Sequence, residues 1–269
     1  MNRNQSVAAR ASCTGCSADR SFNAGTLHLY YYGFKTFDSR YPKFHSLAAN
    51  RSFKAPDGMI CHMGGLTVLA SGNGTTLQAI IDACESGKIS ARVELVISDH
   101  RNSGAITRAI RHGIKHEVLE YAIKKQDYFR ELISLVRSSS PNLVILAGFM
   151  KIIPGWAVLD ITAPIINLHP SLLPCFGGKS MYGIHVHESV ISSGAKYSGC
   201  TVHIVTPEVD SGPIILQKVL EVRDDDTPAT LQDRLKPLEH QAMVEAINII
   251  LSGKYVVKGN RVLTMANQK

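Results

Sequence analysis

Leu66-Thr67-Val68-Leu69-Ala70-Ser71-Gly72-Asn73-Gly74-Thr75-Thr76 decides the fold class. The first five residues are an apolar run of strand length, and the next few are small turn formers. Leu77, Ile80, Ile81 and Cys84 then recur at helical spacing until Gly87 stops the helix. A buried strand that passes through a glycine turn into an amphipathic helix predicts the first half of a crossover unit.

The unit repeats downstream. Val93-Glu94-Leu95-Val96-Ile97 predicts a strand, and Ser103-Gly104 opens a helix through Ile110. Glu117-Val118-Leu119 predicts a short strand, and residues 127–136 a helix with Phe129, Leu132, Ile133 and Val136 on one side. Leu143-Val144-Ile145-Leu146-Ala147 is a strongly apolar strand, followed by a short helix over 154–159. Alternating strands and helices require crossovers, hence a parallel sheet buried on both faces. Residues 199–206 and 213–222 predict neighbouring strands joined by a turn at Asp210, and residues 227–251 a long helix stopped by Gly253. Tyr255-Val256-Val257 and Arg261-Val262-Leu263 flank Gly259-Asn260 as a closing hairpin. The expected class is α/β: a single domain over residues 66–263 with a mostly parallel, Rossmann-like sheet covered by helices on both faces, then a tail over 264–269.

Composition narrows the function. The 269-residue chain carries a net charge of +7, but residues 1–65 hold eight Lys/Arg against three Asp/Glu, and the remainder 21 against 19. The body is nearly balanced and shows no nucleic-acid footprint. No apolar run approaches the roughly 20 residues that span a bilayer. The six cysteines are scattered, and Cys13-Thr14-Gly15-Cys16 has no second pair at zinc spacing. A reducing cytoplasm fits that usage. Residues 1–65 lack any sustained period and are expected to be a disordered extension or to lie outside the true coding start, with Met59 or Met63 as the first residue. A basic, Ser-rich transit peptide, and with it an organelle, is the alternative.

Three segments carry chemistry. Gly72-Asn73-Gly74-Thr75-Thr76 places small residues before a helix N-terminus, whose free amides suit a phosphate. Gly148-Phe149-Met150-Lys151-Ile152-Ile153 follows the most apolar strand, at the sheet edge where ligands of open parallel sheets gather. Asn167-Leu168-His169-Pro170-Ser171-Leu172-Leu173-Pro174 puts an amide and an imidazole two apart, on one face of a strand end. Val209-Asp210-Ser211-Gly212-Pro213 adds a carboxylate at a turn. Asn, His and Asp suit acyl-type transfer without a covalent intermediate and without a metal. His185 and His187 imitate metal spacing, but nothing completes a site.

Together these segments resemble the phosphoribosylglycinamide formyltransferases, folate-dependent enzymes of purine synthesis. Ser71-Gly72-Asn73-Gly74, Leu77-Gln78-Ala79-Ile80, Ala147-Gly148-Phe149-Met150, Asn167 through Pro174, Gly199-Cys200-Thr201-Val202-His203, Val209 through Ile215 and Glu239-His240 all match in order. The resemblance implies transfer of a formyl group from 10-formyltetrahydrofolate to the amine of glycinamide ribonucleotide, with Asn167, His169 and Asp210 catalytic. It implies substrate contacts at Gly74, Thr75 and Thr76 for the phosphate, and at Lys236, Pro237, Leu238 and Glu239 for the rest. It implies a folate site along Met150, Lys151, Ile152, Ile153, Asn167, Thr206, Pro207, Glu208, Val209 and Asp210, with a weaker contact at Lys125. It implies small-molecule partners, no nucleic acid, no membrane, and a monomer or homodimer.

The chain also departs from the family. Thr75-Thr76 stands where Ser-Asn is frequent, and Lys151 and Lys125 replace the usual Arg, a point charge in place of a planar fork. Residues 176–182 lengthen the loop after the catalytic segment. The competing readings are a 10-formyltetrahydrofolate hydrolase, a formyltransferase with another acceptor, and a non-enzymatic nucleotide-binding α/β module.

Overall fold

The structure, a computed structural model, describes residues 64–124 and 127–265. The extension over residues 1–63, Cys13, Cys16 and Lys125 lie outside the described residues.

The predicted alternation is present. Strands β1 (Gly65–Leu69), β2 (Arg92–Ser98), β3 (Lys115–Val118), β4 (Leu143–Leu146) and β5 (Ile165–His169) pair in parallel in the order β3-β2-β1-β4-β5. Helices α1 (Thr75–Glu85), α2 (Gly104–Arg111), α3 (Tyr121–Lys124), α4 (Tyr128–Ser139) and α5 (Gly155–Asp160) fall between or beside them. After α6 (Ile184–Ser192), β6 (Tyr197–Ile204) and β7 (Ile214–Glu221) continue the sheet antiparallel. Helix α7 (Pro228–Ser252) precedes the hairpin β8 (Tyr255–Lys258) and β9 (Arg261–Thr264), whose β9 edge joins β7. Among the described residues the first strand starts at Gly65 and the last ends at Thr264. Helix α6 lies outside the sequence-based expectations; it buries Val186, His187 and Val190.

Alternation along β1 shows why both faces need cover. Leu66, Val68 and Ala70 pack into one core with α1 and α7 residues such as Leu77, Ile80, Met243 and Ile247. Leu69 turns into a second core with Leu132, Ile133 and Val136 of α4, while Thr67 Oγ1 sits 2.8 Å from Ser139 Oγ on that same helix. A one-residue slip would exchange the two faces. The parallel strands share their C-terminal ends along one edge of the sheet, and that edge carries the site. No helix among the described residues is long and apolar enough to cross a membrane.

Candidate functional site

A cleft of about 480 Å³ opens at the C-terminal ends of β4 and β5. Its floor comes from β5, where Asn167 and His169 project to the same side, as their spacing predicts. Asp210 reaches them from the turn between β6 and β7, with left-handed backbone (φ 52°), a conformation costly for a non-glycine residue. The turn is tight: a Cβ on Gly212 would strike the Ile204 carbonyl, so only glycine lets the chain double back here.

The three predicted catalytic groups meet. His169 is 4% exposed, its Nδ1 3.5 Å from Asp210 Oδ2 and its Nε2 donating to the Phe176 carbonyl at 2.8 Å. A carbonyl can only accept, so Nε2 carries a hydrogen and Nδ1 is left for proton exchange. Asp210 Oδ2 also accepts from the Gly178 amide at 2.9 Å. The Asp210 carboxylate does not lift the His169 pKa above the free value. Burial pushes it below 6.5; the Asp210 charge and the Phe176 hydrogen bond oppose that without reversing it, and His203 adds to the fall. Burial alone would raise Asp210, but the neighbouring His203, the His169 charge and the Gly178 amide hold its carboxyl below the usual range.

At one end of the cleft, α1 starts at Gly74 with no side-chain cap and no acidic residue in its first turn. By contrast, Ser103 caps α2 and Thr227 forms a capping box on α7. The α1 amides therefore remain available to an anion, with Thr75 and Thr76 lining the cleft beside them. Gly74 itself lies behind the lining. Its φ is +69°, and a Cβ would come 2.8 Å from Ala105 Cα, so glycine lets α1 and α2 approach closely here.

Helix α7 contributes Lys236 and Glu239, three apart on one face, together with Gln232 one turn earlier. Pro237 and Leu238 do not join them. Helical geometry turns Pro237 to solvent and packs Leu238 against the core. Burial pushes the Glu239 carboxyl up to about 7, against the opposing pull of Lys236.

The other end is apolar. Phe149, Met150, Ile152, Ile153 and Leu146 line it with residues 205–209 opposite. Ser71 anchors this wall by accepting from the Met150 amide at 2.9 Å. Lys151 lines the cleft too, but its Nζ lies 3.6 Å from Asp99 Oδ2 and 5.2 Å from the Tyr121 ring centre. The Asp99 side chain is fully buried and neither oxygen has a hydrogen-bond partner among the described residues; Lys151 and His100, at 3.6 and 3.7 Å, are its cationic-type neighbours.

Two histidines were missed. His203 is buried between Asn167 and Asp210, and His187 of α6 lines the cleft with its Nδ1 lacking a hydrogen-bond partner among the described residues. Burial pushes His187 down to about 4, with the charges of His169 and Lys236 adding to the shift. His185, by contrast, is exposed and pairs with Glu188 at 2.9 Å, so the two do not act together. His203 stood inside a matched segment without a role, because its register opposite Asn167 exists only in the folded sheet.

Comparison with known proteins agrees with this geometry. The family model described as "Formyl transferase" matches residues 66–247. The chain is 37% identical over 188 residues to a chloroplastic phosphoribosylglycinamide formyltransferase of Arabidopsis thaliana, covering 69% of this chain and 64% of that protein. It is 36% identical over 197 residues to the phosphoribosylglycinamide formyltransferase of Escherichia coli K12, covering 72% of this chain and 91% of that one. The solved glycinamide ribonucleotide transformylase 1 of Symbiobacterium toebii superposes with a TM-score of 0.69 at 37% identity, over 76% of this chain and 95% of that one. The chain belongs to the formyl transferase family.

Proposed function

We propose that this protein transfers the formyl group of 10-formyltetrahydrofolate to the amine of glycinamide ribonucleotide. One observation carries the reading: a single cleft joins an uncapped helix N-terminus, an Asn/His/Asp cluster and an apolar slot, in that order. The phosphate end of the nucleotide suits the α1 amides with Thr75 and Thr76, and Lys236 and Glu239 face its middle. The pterin suits the wall of Met150, Ile152 and Ile153 against residues 206–210.

Between them the amine attacks the formyl carbon, and the carbonyl oxygen becomes an oxyanion. Asn167 donates an N–H to that oxygen. The amine must lose a proton and the leaving folate nitrogen must gain one. His169 serves that exchange through Nδ1, beside Asp210 and with a water, because its Nε2 hydrogen is held by Phe176. A lowered His169 pKa keeps the ring neutral near pH 7, ready to accept first and donate second. Asp210 stabilises the imidazolium formed between those events.

We place the protein in the cytoplasm on its cysteine usage, with an organelle as the alternative if residues 1–65 act as a transit peptide; sequencing the native N-terminus decides. The activity test is formyl transfer from 10-formyltetrahydrofolate, with and without glycinamide ribonucleotide. Acceptor-dependent loss of formyl folate supports the reading. Equal loss without the nucleotide points to a hydrolase, and no loss in either assay overturns the enzyme.

A further inference from the structure

We propose that His203 is a positioning residue for formyl transfer, fixing which end of the Asn167 amide faces the reacting carbonyl. This rests on the function proposed above and assigns the residue that makes its Asn167 step geometrically selective.

The two residues are directly opposite across the antiparallel β5–β6 pair, and both line the cleft. His203 is 2% exposed. Its Nδ1 lies 3.0 Å from the Ile204 carbonyl oxygen. That oxygen can only accept, so Nδ1 carries the hydrogen and the neutral ring presents a lone pair at Nε2. Asn167 Nδ2 stands 3.2 Å from that lone pair. An amide oxygen in the same place would set lone pair against lone pair, so the imidazole admits one of the two amide orientations. Asp210 Oδ1 lies farther from the same Nε2, at 3.6 Å, so the amide is its nearer partner.

The consequence is for the oxyanion. A primary amide with no fixed neighbour turns end for end, and the end bearing Oδ1 repels a developing negative charge. The bond to His203 is the one side-chain hydrogen bond of Asn167 among the described residues, so nothing else there holds the orientation. With one N–H committed to His203, the second N–H on the same nitrogen stays free to donate to the carbonyl oxygen. The orienting bond thus spans the strand pair Asn167–His203, while the proton-transfer partner of Asp210 is His169.

The test uses the full chain in steady-state formyl transfer, with melting curves for every variant. His203→Phe should lower kcat by on the order of 10-fold to 100-fold and leave both KM values within roughly threefold. His203→Gln, whose Oε1 can accept the Asn167 N–H, should recover most of the loss. Combining His203→Phe with Asn167→Ala should be no slower than Asn167→Ala alone. Independently of any variant, long-range ¹H–¹⁵N spectra of the wild type should show His203 as the neutral Nδ1–H tautomer. Additive losses, equal impairment of Phe and Gln, a KM rise matching the kcat loss, or an Nε2–H tautomer would each overturn the proposal. A crippled Asn167→Ala beside a normal His203→Phe would remove this inference alone, whereas a normal Asn167→Ala would remove the reading beneath it.

Discussion

The two ends of the cleft are built on opposite principles. At the polar end His169, His203 and His187 are 4%, 2% and 1% exposed, and His169, His203 and Asp210 are tied by hydrogen bonds to neighbouring backbone. At the apolar end Met150 and Ile152 are 47% and 58% exposed, and only the Met150 backbone is tied down. Buried polar groups hold a geometry through their hydrogen bonds, so the fold organises His169, His203 and Asp210 in advance. Apolar side chains at a rim have no such demand and gain most when a ligand covers them. Errors at the buried end should therefore appear in turnover, and errors at the rim in affinity.

The sharpest break of that contrast is His169→Ala. Removing the one group placed to exchange protons should cut turnover by on the order of 10²-fold or more, with an unchanged melting curve. Near-normal turnover in the folded variant would take His169 out of the mechanism.

Asp210→Asn comes next. The carboxylate raises the His169 pKa against burial, so its loss should lower that pKa further and destabilise the imidazolium. Turnover should fall by roughly 10-fold or more, with a smaller change in folate affinity. Histidine titration by NMR reads the pKa directly, and an unmoved His169 would show that the 3.5 Å contact carries no coupling.

Glu239 tests the buried end through stability. Its folded carboxyl titrates near 7 against 4.5 for the free group, so the folded state holds the proton more tightly. The stabilisation this brings is complete below the unfolded value and is lost as pH rises through about 7. Relative to Glu239→Gln, the wild type should lose on the order of 1–3 kcal/mol between about pH 5 and pH 8. His187, pushed to about 4, acts with the opposite sign at acid pH, so the difference between the two proteins is the readout. Parallel curves would mean that Glu239 is not buried as drawn.

The smallest effect belongs to the rim. Met150→Ser or Ile152→Ser should each weaken a folate analogue by about 1 kcal/mol, roughly fivefold in Kd, and leave kcat alone. A fall in kcat without a change in Kd, measured by calorimetry, would erase the distinction between the ends.

Much of this was legible in the residues. Apolar runs located β1 and β4 at the centre of the parallel half, because a strand buried on both faces must be apolar throughout, whereas the edge strand β3 (Lys115–Val118) is polar and half exposed. The two-residue spacing of Asn167 and His169 put them on one face for the same geometric reason. Of residues 236–239, only Lys236 and Glu239 line the cleft, with Gln232 one turn earlier, because residues three or four apart share a helix face.

The sequence by itself determined the α/β alternation, the glycine turn before α1, and the kinds of side chain available for acyl chemistry. Those follow from local sterics and from the two side-chain periods, which need no knowledge of distant residues. Only the tertiary structure decided that Asp210 reaches His169, that burial outweighs that carboxylate in setting the imidazole pKa, that Asp99 lies beside Lys151, and that His203 faces Asn167. Each of these depends on contacts between residues far apart in the chain and on how much water the packed cleft excludes.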